Sequence, residues 1–402
     1  MKRQLTRIGL LAGSAIAAAA LVACGGGSSG TSTTPTATLG TLTVALTDAP
    51  ACGFDAVNVT VNKVRVNKSS SASDTDGGWV DVTLSPARKI NLLNLTNGVL
   101  DSLGQTSLEA GHYSQIRLVL DSNANGTANT VLPTGGNTEQ PLDTPSAAQS
   151  GIKLVGEFDV AAGQRSDVVI DFDACKSVLT KGNGKYALKP VMRVVPSAAN
   201  GISGVVATAA LANHVVVSAQ QGGKIISSTA PNASTGEFLL SHLAAGNYDV
   251  VITSDNSAAS VIGAVPVAAT ATTAVSTSAA PIALALGNVG SIGGTVTMTP
   301  PSTTEAAYVA AKQSFASGQA VTVKYQGADL ATGAYTIANL PLAAPQYAVY
   351  SATLPLAFTA STTAAPGKYS VEASANGYAT KSVDGVDISA QNQSAVNFTL
   401  TP

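Results

Sequence analysis

Apolar and polar residues alternate with period two along much of this chain. In Thr41-Leu42-Thr43-Val44-Ala45-Leu46 the alternation predicts a half-buried strand. The run VNVTVNKVRV, residues 57–66, puts Val57, Val59 and Val61 on one face and then skips to Val64 and Val66. A three-residue step in a period of two predicts a β-bulge near Asn62 and Lys63, which returns the later valines to the core side. Further strands are predicted over 79–84, 116–120 and 168–172, with the same alternation. In LTKGNGKYAL, residues 179–188, Asn183-Gly184 between two strand-like pieces predicts a hairpin. The expected first domain, residues 41–196, is a β-sandwich or a related barrel.

The second half repeats itself. Gly201–Val206, then His214–Val217, Thr235–Phe238, Leu243 and Gly246–Val250 form one unit. Its echo is Gly290–Val296, Val321–Val323, Thr332–Tyr335, Leu340 and Gly367–Val371. Gly236 and Gly246 are close in sequence, while Gly333 and Gly367 are separated by an insertion, residues 341–366. Two modules follow, over 199–287 and 288–402. In the second, Ser302-x-x-Glu305 after two prolines reads as a capping box and predicts a short helix over AAYVAAKQSF, residues 306–315.

At the N-terminal end the pattern changes. Lys2, Arg3 and Arg7 precede an apolar run from Ile8 to Val22 broken by Gly13 and Ser14. It is shorter than the ~20 apolar residues of a spanning helix, so a cleaved signal over 1–23 is expected. Leu21-Val22-Ala23-Cys24 resembles the bacterial lipobox. The resemblance implies that Cys24 becomes the new N-terminus and carries diacylglycerol and an amide-linked acyl chain, each chain worth ~0.8 kcal/mol per buried CH₂. The glycines, serines and threonines of residues 24–40 then form a flexible tether. Gly25 stands where inner-membrane lipoproteins carry a retention aspartate, so the outer membrane is expected, its face undecided.

Composition narrows the partners. Only 11% of residues are charged, and removing Lys2, Arg3 and Arg7 leaves 18 basic against 23 acidic residues, a charge of about −5. There is no basic block for nucleic acid. Small and β-branched residues favour many short strands over helices, and 402 residues leave room for two or three domains. With Cys24 committed to lipid, Cys52 and Cys175 form an even pair in an oxidising compartment, and a disulfide between them is expected.

Two larger resemblances follow from ordered motifs. TLTVALTDAP with Asp48, Ala49 and Pro50, then VNVTVNKVRV, Trp79, INLLNL, AGHYSQIRLVL, VVIDFD and YALKPVMRV resemble the bacterial domain-of-unknown-function 4382 family over about residues 40–196. The resemblance implies a β-domain of an exported, often lipid-anchored protein and carries over no catalytic residue. The Gly-x-[Phe/Tyr] turn and later Gly-x-Tyr-x-Val strand of each C-terminal module are similar to carboxypeptidase-regulatory-like sandwiches. This implies two small immunoglobulin-like or transthyretin-like modules, with the tyrosines as corner residues. The fold class expected for the whole chain is all-β.

Candidate chemistry is sparse. Gly26-Gly27-Ser28-Ser29-Gly30 matches a nucleophile-elbow pattern but lies in the tether. Gly182–Ala187 matches a dinucleotide pattern but lies in the hairpin. His112, His214 and His242 lack zinc-ligand spacing, and His112, beside a turn, is expected to be exposed. Asp121, Asn123 and Asn125, followed by Gly126, match the first half of a calcium loop, but Leu132 stands where the bidentate glutamate belongs. Asp171 and Asp173, alternating onto one face of their strand, and Asp48 are the further carboxylates that a Ca²⁺ ion would need. The competing reading is that these residues form turns.

No nucleophile-base pair is recognisable, so no enzyme and no cofactor beyond Ca²⁺ and the acyl chains are expected. The expected role is a lipid-anchored cell-envelope protein with a non-catalytic, adhesion-like binding function. Its partner is an unidentified envelope protein or extracellular ligand, and its tandem modules act as spacers. The alternative is a structural lipoprotein supporting an envelope complex through strand addition. A carbohydrate-binding role is disfavoured by the single Trp79 and an aromatic content of 4%.

Overall fold

The computed structural model describes residues 39–402 except 50–52, 125–126, 145–146, 155, 197–199, 303–304 and 316–319. The lipobox with Cys24, the expected tether up to residue 38, Cys52 and Asn125 lie outside the described residues.

The first domain begins with β1 (Leu39–Ala49), β2 (Phe54–Asn67), β3 (Val80–Asn91), β4 (Asp101–Glu109), β5 (Gly111–Tyr113) and β6 (Gln115–Leu120). It continues through β7 (Thr130–Pro133), β8 (Gln140–Asp143), β9 (Ile152–Leu154), β10 (Phe158–Val160) and β11 (Arg165–Asp173). A four-residue helix α1 (Ala174–Ser177), then β12 (Val178–Thr180), β13 (Tyr186–Leu188) and β14 (Met192–Pro196) complete it. One sheet runs β14-β11-β1-β4; the larger one runs β12-β13-β8-β7-β2-β6-β9, with β3 also on β2.

The alternation seen in sequence sets the core between these sheets. Leu42, Val44 and Leu46 of β1 are buried with Val168, Ile170 and Phe172 of its parallel neighbour β11. Val57, Val59, Val61, Val64 and Val66 of β2 join the same core. The register of β2 against both β3 and β6 shifts between Val61 and Lys63, so the bulge falls at Asn62 as expected. The Asn183-Gly184 turn joins β12 to β13, both residues with positive φ (52° and 68°). The parallel β1–β11 pairing has no local signature.

The second module comprises β15 (Gly201–Val205), β16 (Val216–Gln221), β17 (Lys224–Thr229), β18 (Glu237–Ser241), β19 (Gly246–Thr253), β20 (Ser260–Val267) and β21 (Thr272–Ala274). The third contains β22 (Val289–Met298), β23 (Tyr308–Ser314), β24 (Ala320–Gly327) and β25 (Ala334–Pro341). After them come β26 (Gln346–Val349), β27 (Thr359–Ala360), β28 (Lys368–Ser374), β29 (Lys381–Asp387) and β30 (Phe398–Leu400). Strand order is the same in both: β18-β15-β21 facing β17-β16-β19-β20, and β25-β22-β30 facing β24-β23-β28-β29.

The repeat extends to details. Gly236 (φ +75°) and Gly333 (φ +69°) occupy equivalent turns, where a Cβ would sit 2.0 Å from the Val206 carbonyl oxygen and 2.2 Å from that of Val296. The Tyr248 hydroxyl donates to the Ala244 carbonyl at 2.8 Å, and the Tyr369 hydroxyl donates to that of Pro341. Ala244 and Pro341 each follow the matched leucines Leu243 and Leu340, so the corner survives although the insertion separates its two ends in the third module.

Two sequence expectations need correction. The segment expected to be helical is β23, a central strand. The Ser302 hydroxyl does accept from the Glu305 N–H at 2.9 Å. However, Val309, Ala311 and Gln313 alternate into the interior, and period two prevails over the cap. In consequence Val321–Val323 lie in β24, the counterpart of edge strand β17, while the counterpart of β16 is β23.

The insertion also leaves its own module. Its β26 pairs in parallel with β20, from Ser260↔Gln346 to Gly263↔Val349, extending the second module's sheet to β17-β16-β19-β20-β26-β27. Tyr350, Leu356 and Phe358 pack on the second module's core. Residues 39–402 accordingly form one compact unit, in which the tandem modules are packed together.

Candidate binding site at the junction of the three modules

Two side-chain amides clamp the edges along which the modules meet. Asn97 (φ +63°) follows the 3-10 turn Leu92–Leu95 of the first domain. Its Nδ2 donates to the Glu237 carbonyl at 3.1 Å and its Oδ1 accepts from the Leu239 N–H. Its own N–H donates to the Thr229 hydroxyl at 2.7 Å. Gln220, fully buried on β16, treats β24 in the same way: Nε2 donates to the Thr322 carbonyl and Oε1 accepts from the Thr322 N–H, both at 2.8 Å. Each amide supplies the donor-acceptor pair that a further strand would supply to an open edge.

The third module meets the first domain around α1. Asp173 caps this helix by accepting from the Lys176 N–H at 3.0 Å. The Tyr308 hydroxyl donates to the Lys176 carbonyl at 2.8 Å, and the Lys176 ammonium lies 5.3 Å from the Tyr325 ring. The Leu330 N–H donates to the Thr180 carbonyl at 3.0 Å. Burial, together with the Asp173 and Asp48 carboxylates, holds the Tyr325 hydroxyl well above the ordinary tyrosine range.

Between these contacts lies a cavity of about 520 Å³ with walls from all three modules. The first domain contributes Phe54, Leu93 and Cys175; the second contributes Val216, Ser218 and Ile225 from the side of its sheet opposite its core. The third contributes Tyr325, Ile337 and Ala338. One end is polar. There Asp255 accepts from His214 Nδ1 at 2.7 Å through Oδ2 and from Lys324 Nζ at 2.8 Å through Oδ1. Burial pulls the Asp255 carboxyl upward, but hydrogen bonds from Lys324 and His214, the Lys324 charge and a further bond from Asn339 outweigh it and hold the pKa low. Sequence reading missed this group, because His214 and Lys324 lie 41 and 69 residues from Asp255.

The sequence-predicted residues are placed elsewhere. Asp121 Oδ1 accepts from Nδ2 of Asn62, the bulge residue, at 2.8 Å. Asn123 ties its loop shut, donating to the Asn129 and Leu142 carbonyls and accepting from the Asn129 N–H. Asp171 and Asp173 are on the other sheet. Asp171 pairs with Arg193 at 2.6 Å, and Asp173 with Lys176 at 2.8 Å. Asp48 Oδ1 accepts from the Ala174 N–H at 3.1 Å. The expected calcium set is therefore not brought together: each described member is used as a turn former, cap or ion-pair partner. Among the described residues no group of three or more His, Cys, Asp or Glu is arranged to hold a metal ion.

Two guanidinium groups lie over the Trp79 ring, Arg65 at 4.9 Å and Arg117 at 4.8 Å, and its Nε1 donates to the Ser73 carbonyl. His112 is exposed between Asp159 and Glu157, and the Asp159 hydrogen bond raises its pKa. Cys175 is engaged rather than free.

Fold and cavity together define an all-β protein of three parts, each of which walls one cavity. Residues 39–190 match the family described as "Domain of unknown function (DUF4382)", which is less than half of the chain. No curated protein matches it. Among solved structures, a type II cohesin-X-dockerin complex from Acetivibrio cellulolyticus is similar at 28% identity over 22% of this chain and 58% of that chain, with a TM-score of 0.19. The Bacillus anthracis TIE protein is similar at 9% identity over 90% of this chain and 50% of that one, with a TM-score of 0.15. BcpA, the major pilin subunit of Bacillus cereus, is similar at 11% identity over 90% and 99%, with a TM-score of 0.14. The chain spans between half and three-fifths of the first two structures, and at these TM-scores the likeness bears on neither its fold nor its role.

Proposed function

We propose that this is a lipid-anchored protein of the bacterial outer membrane with a non-catalytic binding role, whose ligand sits in the junction cavity. The cavity carries the reading: its volume, about 520 Å³, falls among sites that enclose small molecules, and all three modules wall it. Leu21-Val22-Ala23-Cys24 supports the anchor through the lipobox it resembles, and Gly25 supports outer-membrane sorting. The shared strand order of the second and third modules supports their reading as carboxypeptidase-regulatory-like sandwiches. A Cys52–Cys175 disulfide belongs to the same reading. Cys175 is engaged, and Gly53, next in sequence to Cys52, lines the cavity with it.

Native mass spectrometry of the protein released from envelopes tests this. The wild type is expected to retain a small-molecule adduct that a cavity-filling Ala338→Trp variant lacks. Cys24→Ala is expected to lose the acyl mass and the membrane fraction. Identical adducts in wild type and Ala338→Trp would overturn the binding role, and acyl mass persisting in Cys24→Ala would overturn the anchor. Non-reducing peptide mapping is expected to recover a Cys52–Cys175 linked peptide; two free thiols would remove the disulfide.

A further inference from the structure

We propose that the junction cavity takes an amphipathic monocarboxylate, its single carboxylate head beside Lys324 and His214 and its aliphatic or aromatic body along the apolar walls. The inference rests on the binding role above and gives it a ligand class. Its basis is the uneven distribution of chemistry around the cavity. Apolar side chains of the walls come from all three modules, Leu93 and Phe54, Val216 and Ile225, Ile337 and Tyr325, interspersed with uncharged polar ones such as Ser218 and Thr336. Charge is confined to one end. Asp255 is the sole carboxylate among the described lining residues, and both of its oxygens are already taken, by His214 and Lys324.

Donors remain there. An ammonium group has three N–H bonds, and one from Lys324 reaches Asp255; among the described residues no second acceptor meets this group. His214, 65% of whose side chain is exposed, spends its Nδ1–H on Asp255, and Nε2 of the neutral ring is an acceptor, so Lys324 is the donor that remains. A carboxylate entering there therefore meets the Lys324 ammonium held in place by Asp255, and charge-assisted hydrogen bonds of this kind are the stronger class. A cationic head would face Lys324 instead. A multiply charged ligand would set further charges against Leu93 and Ile225 without partners, at a desolvation cost. The head belongs at the mouth and the body inside.

Photo-crosslinking on envelopes carrying the full chain tests the assignment, with a diazirine-bearing dodecanoate as probe and with dodecanoate or dodecanol as competitor below micelle formation. The expected result is label on peptides of the cavity walls, displaced at roughly tenfold lower dodecanoate than dodecanol. Lys324→Gln is expected to bring the two competitors near parity, and Ala338→Trp, on an exposed wall position, to abolish the label; circular dichroism checks both folds. Equal displacement of an Ala338→Trp-sensitive label by both competitors overturns the carboxylate and leaves the binding role standing. Label indifferent to Ala338→Trp, or no label on the walls, overturns both.

Discussion

At Asn97 a backbone with positive φ carries the carboxamide across to β18, where it meets one carbonyl and one N–H of the second module. Truncation removes both partners at once and leaves the Leu239 N–H of a partly covered edge unsatisfied. Asn97→Ala is expected to destabilise the protein by ~1–3 kcal/mol, read as a lowered urea midpoint. Exchange at Leu239 should quicken more than at core amides of β15. An unchanged midpoint together with unchanged exchange would show that the amide contributes nothing to the junction. Sequence alone made some residues legible and not others, for a physical reason. Tyr248 and Tyr369 sit in a local frame of glycine, leucine and alternating valine that recurs, so their corner role can be read. Asn97 bonds a residue 142 positions away, and nothing near it in the chain distinguishes it from any asparagine in a turn.

At the scale of elements, β2 and its bulge were readable because the pattern of five valines changes face once and must be reset by one extra residue. Strand β23 was not, because its alanines suit a helix and its cap bond forms without one. Only the pairing with β24 and β28, which are remote in sequence, decides for a strand. The exchange of β26 into the second module was equally hidden: parallel addition of four residues leaves no turn and no fixed spacing. Its energetic role is specific. It covers the β20 edge and sets Leu356 and Phe358 on a core that would otherwise face water. Replacing residues 343–364 with Gly-Ser is expected to cost at least ~3 kcal/mol, the order of fully burying one or two such side chains. In hydrogen exchange the loss should appear at Val261 and Gly263 of β20, outside the altered module. Confinement of faster exchange to β28 and β29 would contradict the strand exchange.

Across the whole molecule, acid should probe how the third module is fastened to the first domain. Asp329 Oδ2 accepts from the Gly182 N–H at 2.9 Å, joining the β24–β25 turn to the β12–β13 hairpin. Burial alone would raise its pKa, but hydrogen bonds from the Thr180 hydroxyl and from the Thr332, Ala331 and Gly182 N–H groups bring it down to about 2. Because the folded pKa lies below the unfolded value of ~3.9, the stability this carboxylate adds is complete above that value. It is lost as pH falls toward about 2. Asp329→Asn is expected to lower the urea midpoint at pH 5 and to flatten its decline between roughly pH 4 and 2. A decline as steep as in the wild type would assign the acid sensitivity to other groups.

The strand that the third module lends to the second has a consequence for heredity. Recombination that shuffled either module singly would part donor from acceptor, leaving one product with an uncovered edge and the other with an orphaned loop. The stretch from residue 200 to residue 402 is therefore expected to behave as a single cassette in such exchanges, although its sequence reads as two.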